Sequence, residues 1–193
     1  MFGVRAMIYL DIKKEQMKAI ERDLKNFKNG VPKALTRSIN TALTDVKNEM
    51  ISLARTDYNY NVAQLRKRIT ITRAKYTDLS GKVKSKGGKY HLYDIVGKRK
   101  TTKGYRVNVK KSTGMQFIPH AFSKKIGKKY MLLIRKSSGD GLVSQYPVRT
   151  LYASHPEIIY NTPENWNKLS KKGQDRLDKA LKKEVNAIVK GWA

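Results

Sequence analysis

Arg68-Ile69-Thr70-Ile71-Thr72 and, further on, Tyr105-Arg106-Val107-Asn108-Val109-Lys110 place apolar side chains at every second position, the period of a strand with one face buried. Both runs lie in residues 66–136, which hold 22 Lys or Arg against only Asp78 and Asp94, a net of +20 out of the chain's +27; the other 122 residues carry +7. The charge therefore belongs to the outward faces and loops of a sheet. Strands are expected over 69–75, 82–86, 90–96, 105–110, 116–119 and 130–136. Gly87-Gly88, Lys103-Gly104 and Ser112-Thr113-Gly114 mark turns between them, so the strands read as an antiparallel meander. Residues 97–104 (Gly97-Lys98-Arg99-Lys100-Thr101-Thr102-Lys103-Gly104) have no apolar anchor and are expected to project as a mobile basic hairpin tip. A second tip, Ser137-Ser138-Gly139-Asp140-Gly141, precedes Tyr146-Pro147-Val148, where Pro147 argues for a strand end or edge.

On either side of the sheet the period changes to that of helices. Residues 4–12 alternate loosely as a short first strand. Met17, Ile20, Leu24 and Phe27 then step by 3, 4 and 3 over a helix at about 13–28, with Asp11 as its cap and Asn29-Gly30 as its stop. Leu35, Ile39, Ala42, Leu43, Val46, Met50 and Leu53 hold a helical period over about 32–55, with Pro32 in the first turn. The other face of this helix is small and polar. Ser38, Asn40, Thr41 and Thr44 there fit a solvated face or close packing against a neighbouring element or subunit. Asn61 with Gln64 three positions on reads as a capping box opening a short helix to 67. Thr162-Pro163 opens a C-terminal helical region at about 163–190. One turn there carries Trp166 and Leu169; after Ser170 and Gly173 an amphipathic helix from about Gln174 carries Leu177, Leu181, Val185, Ile188 and Trp192. The reading is one α+β domain over 1–193: N-terminal helices, a basic antiparallel β-sheet at about 68–150 with projecting hairpin loops, and a C-terminal amphipathic helix.

The chain of 193 residues is long enough to bury a core without disulfides or metal. It has no cysteine, which excludes a disulfide framework, a thiolate metal site and a cysteine nucleophile. No run of 18 apolar residues is present, so no membrane span is expected. The first ten residues lead into charged sequence without a small-residue cleavage site, so no signal peptide is expected.

Catalytic chemistry finds little support. His91, His120 and His155 lie 29 and 35 residues apart, without the spacing of paired metal ligands. The acids sit mostly in the helices beside Lys or Arg, so a pair for acid and base work is unsupported. Gly139-Asp140-Gly141 and Lys86-Gly87-Gly88-Lys89 read as turns, not phosphate loops, and no Gly-x-Ser-x-Gly elbow occurs. No enzyme activity and no cofactor are expected; a small basic ribonuclease would need an acid-base set that is not found.

The charge points instead to a polyanion or an acidic protein surface. Lys98, Arg99, Lys100, Lys103, Arg106, Lys110 and Lys111 are the candidate contacts. Tyr76, Tyr90, Tyr93, Tyr105 and Tyr130 are interleaved among cations, the mixture by which single-strand binders stack bases while cations track phosphates. The competing reading packs those rings on the sheet. Lys outnumbers Arg in the block, which favours nonspecific charge over base readout.

Val31-Pro32-Lys33-Ala34 followed by Ser38-Ile39-Asn40-Thr41-Ala42 resembles the small-residue helix of the minor tail protein Z family of tailed phages, also called tail completion proteins. The likeness continues through Val62, Leu65, Arg66, Lys67 and Arg68, the Lys/Arg-rich hairpin region, Ile118-Pro119-His120-Ala121-Phe122 and Tyr146-Pro147-Val148. It covers residues 31–159, about two thirds of the chain. Ser38 stands where Ala is common, and His120 where the family has a small residue; Pro119 and Pro147 are carried over as structural turns. The resemblance implies a non-enzymatic virion protein, assembled in the host cytoplasm and added at the head-proximal end of a long tail for head-tail joining. It implies a homo-oligomeric ring, six-fold by analogy with other ring-shaped tail components, with tail terminator, tail tube and head-tail connector proteins as partners, and DNA in the channel. A stand-alone nonspecific nucleic-acid-binding protein is the alternative.

Overall fold

A computed structural model describes residues 7–10, 12, 14–27, 29–137 and 143–191. In chain order, β1 (Met7–Tyr9) leads into α1 (Lys14–Asp23), α2 (Gly30–Asp57) and α3 (Val62–Arg68). Then come β2 (Ile69–Thr72), β3 (Lys82–Ser85), β4 (Tyr90–His91), β5 (Gly97–Thr101), β6 (Gly104–Asn108) and β7 (Gln116–Pro119). They are followed by β8 (Ala121–Ile126), β9 (Lys129–Ser137), β10 (Val143–Thr150) and β11 (Tyr152–Ala153), and α4 (Pro156–Tyr160) and α5 (Pro163–Val189) complete the order. This is the expected α+β class, antiparallel in every described strand pair. The expected cap Asp11, the last apolar position Trp192 and the tip at 138–141 lie outside the described residues.

Helix α2 is the axis of the core. Leu35, Ile39, Ala42, Leu43, Val46 and Met50 are all buried, and Ala34, Ile51 and Ala54 widen the apolar arc. Each large aliphatic side chain so buried contributes roughly 1.5–3 kcal/mol. Helix α5 runs antiparallel beside it, as the ion pairs Arg37–Glu184, Asp45–Arg176 and Glu49–Lys172 require, since the α5 numbers fall as the α2 numbers rise. Gly173 lets the two helices approach: a Cβ there would lie 2.9 Å from both Val46 Cγ2 and Leu10 Cδ2. The expected interruption before Gln174 is therefore absent, and α5 is continuous. Its glycine serves packing instead of termination. Thr162 occupies the cap position of α5, but its Oγ1 donates to Ile159 O (3.1 Å) and caps nothing in α5.

Two helix ends also differ from expectation. α1 stops at Asp23, and residues 24–27 continue as turns in which Leu24 is buried and Phe27 exposed. Asn29, with φ 59°, stands at the start of α2 and not at the end of α1. The Asn61 cap of α3 is present, its Oδ1 accepting from Ala63 N (2.9 Å) and Gln64 N (3.4 Å). The return bond expected from Gln64 is replaced by Tyr90, whose hydroxyl accepts from Asn61 N (3.1 Å).

The strands do not make one sheet. Among the described residues they divide into three three-stranded sheets, β1-β3-β2, β5-β6-β7 and β10-β9-β8, and the pair β11-β4. β2 stops at Thr72 because Asn40 takes over the backbone of Ala74: its Nδ2 donates to Ala74 O (3.1 Å) and its Oδ1 accepts from Ala74 N (2.9 Å). The expected strand at 90–96 shrinks to β4 and a one-turn 3-10 helix, Leu92–Asp94. Leu92 and Ile95 are both buried three positions apart, a spacing that alternation in a strand does not allow.

Residues 97–104, expected as a mobile loop, are mostly ladder. β5 pairs with β6 from Gly97↔Asn108 to Thr101↔Gly104, leaving Thr102-Lys103 as the turn. β5 needs no apolar anchor of its own, because β6 supplies the buried Tyr105 and Val107. Gly104 (φ 154°) admits the neighbouring strand: a Cβ there would stand 2.2 Å from Ile118 O. Pro119 ends β7 and is exposed, while the turn itself is made by His120 at φ 57°, whose N–H donates to Lys103 O (2.9 Å). Pro147 lies in β10, an edge strand, where the register shifts between Val143 and Val148.

Candidate polyanion interface

The β5–β6 hairpin is held at its base by the segment that leaves α2. Tyr60 bridges Ile95 on one side and Tyr58 bridges Lys110 on the other. Asn59 N donates to Val109 O (3.0 Å), Asn59 O accepts from Val96 N (3.0 Å), and Asn59 Nδ2 donates to Asn108 O (3.0 Å). The basic hairpin is thereby fixed to the helical core.

The register sorts its residues by face. Arg99 is the partner of Arg106, and Arg106 of Phe117. Cross-strand partners share a face, so Arg99, Arg106 and Phe117 form one row. Tyr105 and Val107, which flank Arg106, are buried on the other face. The outward row is exposed, Phe117 at 46%. With Lys100, Thr101, Thr102 and Lys103 it lines an open depression of about 480 Å³.

Of the seven candidate cations, Arg99, Lys100, Lys103, Arg106, Lys110 and Lys111 are exposed and Lys98 is half-buried. Two of them, Lys98 and Lys111, are tied to the fold. Lys98 donates to Ile95 O (3.2 Å) and lies over the Tyr93 ring, 4.6 Å from its centre. Lys111 donates to Arg55 O (2.6 Å), satisfying a carbonyl in the last turn of α2. The ion pairs among the described residues, Arg22–Asp23, Arg37–Glu184, Lys172–Glu49 and Arg176–Asp45, all lie on helices. Asp78, one of the block's two acids, spends its carboxylate on Ser80, whose hydrogen bonds hold it below the usual carboxylate range. The exposed hairpin cations Arg99, Lys100, Lys103 and Arg106 therefore face solvent with no ion pair among the described residues.

The interleaved tyrosines divide by burial. Tyr90 and Tyr105 are core residues, Tyr105 donating to Ser123 Oγ (2.8 Å). Tyr93 stacks on Tyr130 at 5.5 Å, and Tyr76 is exposed. Tyr90 packs edge-on against Tyr60, which stacks on Tyr58, and Arg68 lies 5.2 Å from the Tyr90 ring centre. Burial pushes the Tyr90 hydroxyl up to about 12 and raises those of Tyr60 and Tyr160 further. Nearby, the buried Glu157 accepts from Ser85 Oγ (2.7 Å). Phe117 is an exposed ring, beside the hairpin arginines, that sequence reasoning passed over. The available signal was the pair Phe117-Ile118: in a strand two adjacent apolar residues face opposite ways, so one of them leaves the core.

On the polar face of α2, Ser38 is buried in the core and Asn40 bonds within the chain. Thr41 and Thr44 are exposed, and each hydroxyl donates one turn back, to Arg37 O and Asn40 O. The histidines lie on different elements, and no cluster of His, Cys, Asp or Glu suited to a metal occurs among the described residues. No described helix is long and apolar enough to cross a membrane. Comparison with protein-family models, with curated proteins and with solved structures finds no match.

Proposed function

We propose that the chain is a non-enzymatic structural protein of a phage virion, a tail completion protein of the minor tail protein Z kind. It joins a homo-oligomeric, six-fold ring at the head-proximal end of the tail and turns its basic sheet toward DNA or toward an acidic neighbouring ring. The observation that carries the reading is concentration of charge: residues 66–136 hold a net +20, and the β5–β6 hairpin there presents Arg99, Lys100, Lys103 and Arg106 outward with no ion pair among the described residues. Six copies at +27 would total roughly +160, which requires a polyanion or acidic neighbours for assembly. A ring would use a heterologous interface, one patch of each protomer meeting a different patch on the next.

Light scattering on the purified protein is expected to find a closed, multi-subunit species or a concentration-dependent approach to one. Replacing Arg99, Lys100 and Lys103 by Gln is expected to lower infectious assembly in a complementation assay while leaving the thermal transition in place. Lys98 is left intact because its contacts belong to the fold. A protein that stays monomeric at all concentrations, with assembly indifferent to the three replacements, overturns the reading.

A further inference from the structure

The row Arg99, Arg106, Phe117 has a feature that a merely solvated face does not need. Two arginines are direct cross-strand partners in an antiparallel pair, like charges whose opposition destabilises a sheet, and no ion pair among the described residues relieves it. Beside them, in register with Arg106, is an exposed aromatic ring. Among the described residues no cation lies over that ring, whereas Phe122 is covered by Arg135 at 5.4 Å. The depression they share is bordered by Lys103, on a strand whose other face is anchored in the core by the buried Tyr105 and Val107.

We infer that this face of β5–β6–β7 is a binding site for single-stranded nucleic acid. A phosphate bridges Arg99 and Arg106, and an adjacent base stacks on Phe117. The site rests on the reading above only in taking a polyanion as the ligand, and it commits to one. Arginine meets phosphate oxygens in a planar fork that lysine lacks. A bare ring adds nothing for a smooth duplex backbone, but it suits an unpaired base, whose stacking tolerates any sequence. An acidic protein surface uses the two arginines and leaves the ring idle.

The test is fluorescence anisotropy with a labelled oligothymidylate, a duplex of the same length, and poly-glutamate as competitor, over a range of salt. Phe117→Ala is expected to weaken single-strand binding by about 5- to 150-fold without changing the salt slope, and Phe117→Trp to restore it. Arg99→Gln with Arg106→Gln is expected to reduce the log-log salt slope by about 1.4. All three side chains are exposed, so circular dichroism should be unchanged, and the thermal transition should not fall and should rise slightly when the opposed arginines are replaced. Duplex bound as tightly as single strand with Phe117→Ala silent, or poly-glutamate displacing the oligonucleotide at equal charge, overturns the site. Either result leaves the ring to be judged by light scattering and assembly. Intact single-strand binding in a strict monomer counts against the ring and not against this site.

Discussion

Asn40 shows how much one side chain on α2 settles. In sequence its small, polar surroundings suit water, a neighbouring subunit or the chain itself; in the fold both ends of its amide are spent on the buried Ala74. Removing it strands a backbone donor and acceptor, each costing about 1–3 kcal/mol when left unpaired in the interior. Asn40→Ala is therefore expected to destabilise by roughly 2–4 kcal/mol and to lower the thermal midpoint by several degrees. Thr44→Ala, at an exposed hydroxyl bonded one turn back, should stay within about 0.5 kcal/mol of the parent in the same scan. Equal effects would show that the Asn40–Ala74 bond does not hold this face. His120 teaches a related point: its φ of 57° is a conformation that favours glycine. The residue suggested no turn of its own, and the left-handed bend follows from the pairing of β7 and β8 with their neighbours.

Among the elements, helices were easier to read than strands. A helix closes its hydrogen bonds within four residues, so the period of α2 and of the later part of α5 was visible without knowledge of anything else. The errors in α1 and α5 concern ends and a glycine, where the neighbouring helix decides. A strand takes all of its ladder bonds from its neighbours, and β5 is the sharpest case. Gly97–Thr101 has no alternation of its own and is made a strand by β6. Hydrogen exchange is the measure: β5 amides that enter the ladder are expected to exchange at least roughly tenfold more slowly than those of Thr102-Lys103, an opening energy above about 1.4 kcal/mol. Uniformly fast exchange from 97 to 104 would restore the mobile tip.

At the scale of the whole molecule, charge and burial set opposite surfaces. Burial holds the hydroxyls of three core tyrosines, Tyr60, Tyr90 and Tyr160, above their ordinary value near 10. The folded chain thus keeps protons that the unfolded chain releases, so their contribution to stability is complete below about pH 10 and is lost as pH rises through about 12, where Tyr90 ionises, and beyond, where Tyr60 and Tyr160 do. Alkaline unfolding followed by circular dichroism should coincide with the last portion of tyrosinate absorbance. Tyrosinate formation complete before unfolding would contradict the burial of these three. The sequence by itself determined the helical framework, the α+β class and the concentration of charge in residues 66–136, because composition and local period do not depend on distant partners. Only the tertiary structure decided that the strands form separate sheets, that Lys98 and Lys111 serve the fold, and that Phe117 rather than the buried tyrosines joins the arginines outside. Alternation says that a strand has two faces; which face meets the core depends on packing against the rest of the chain.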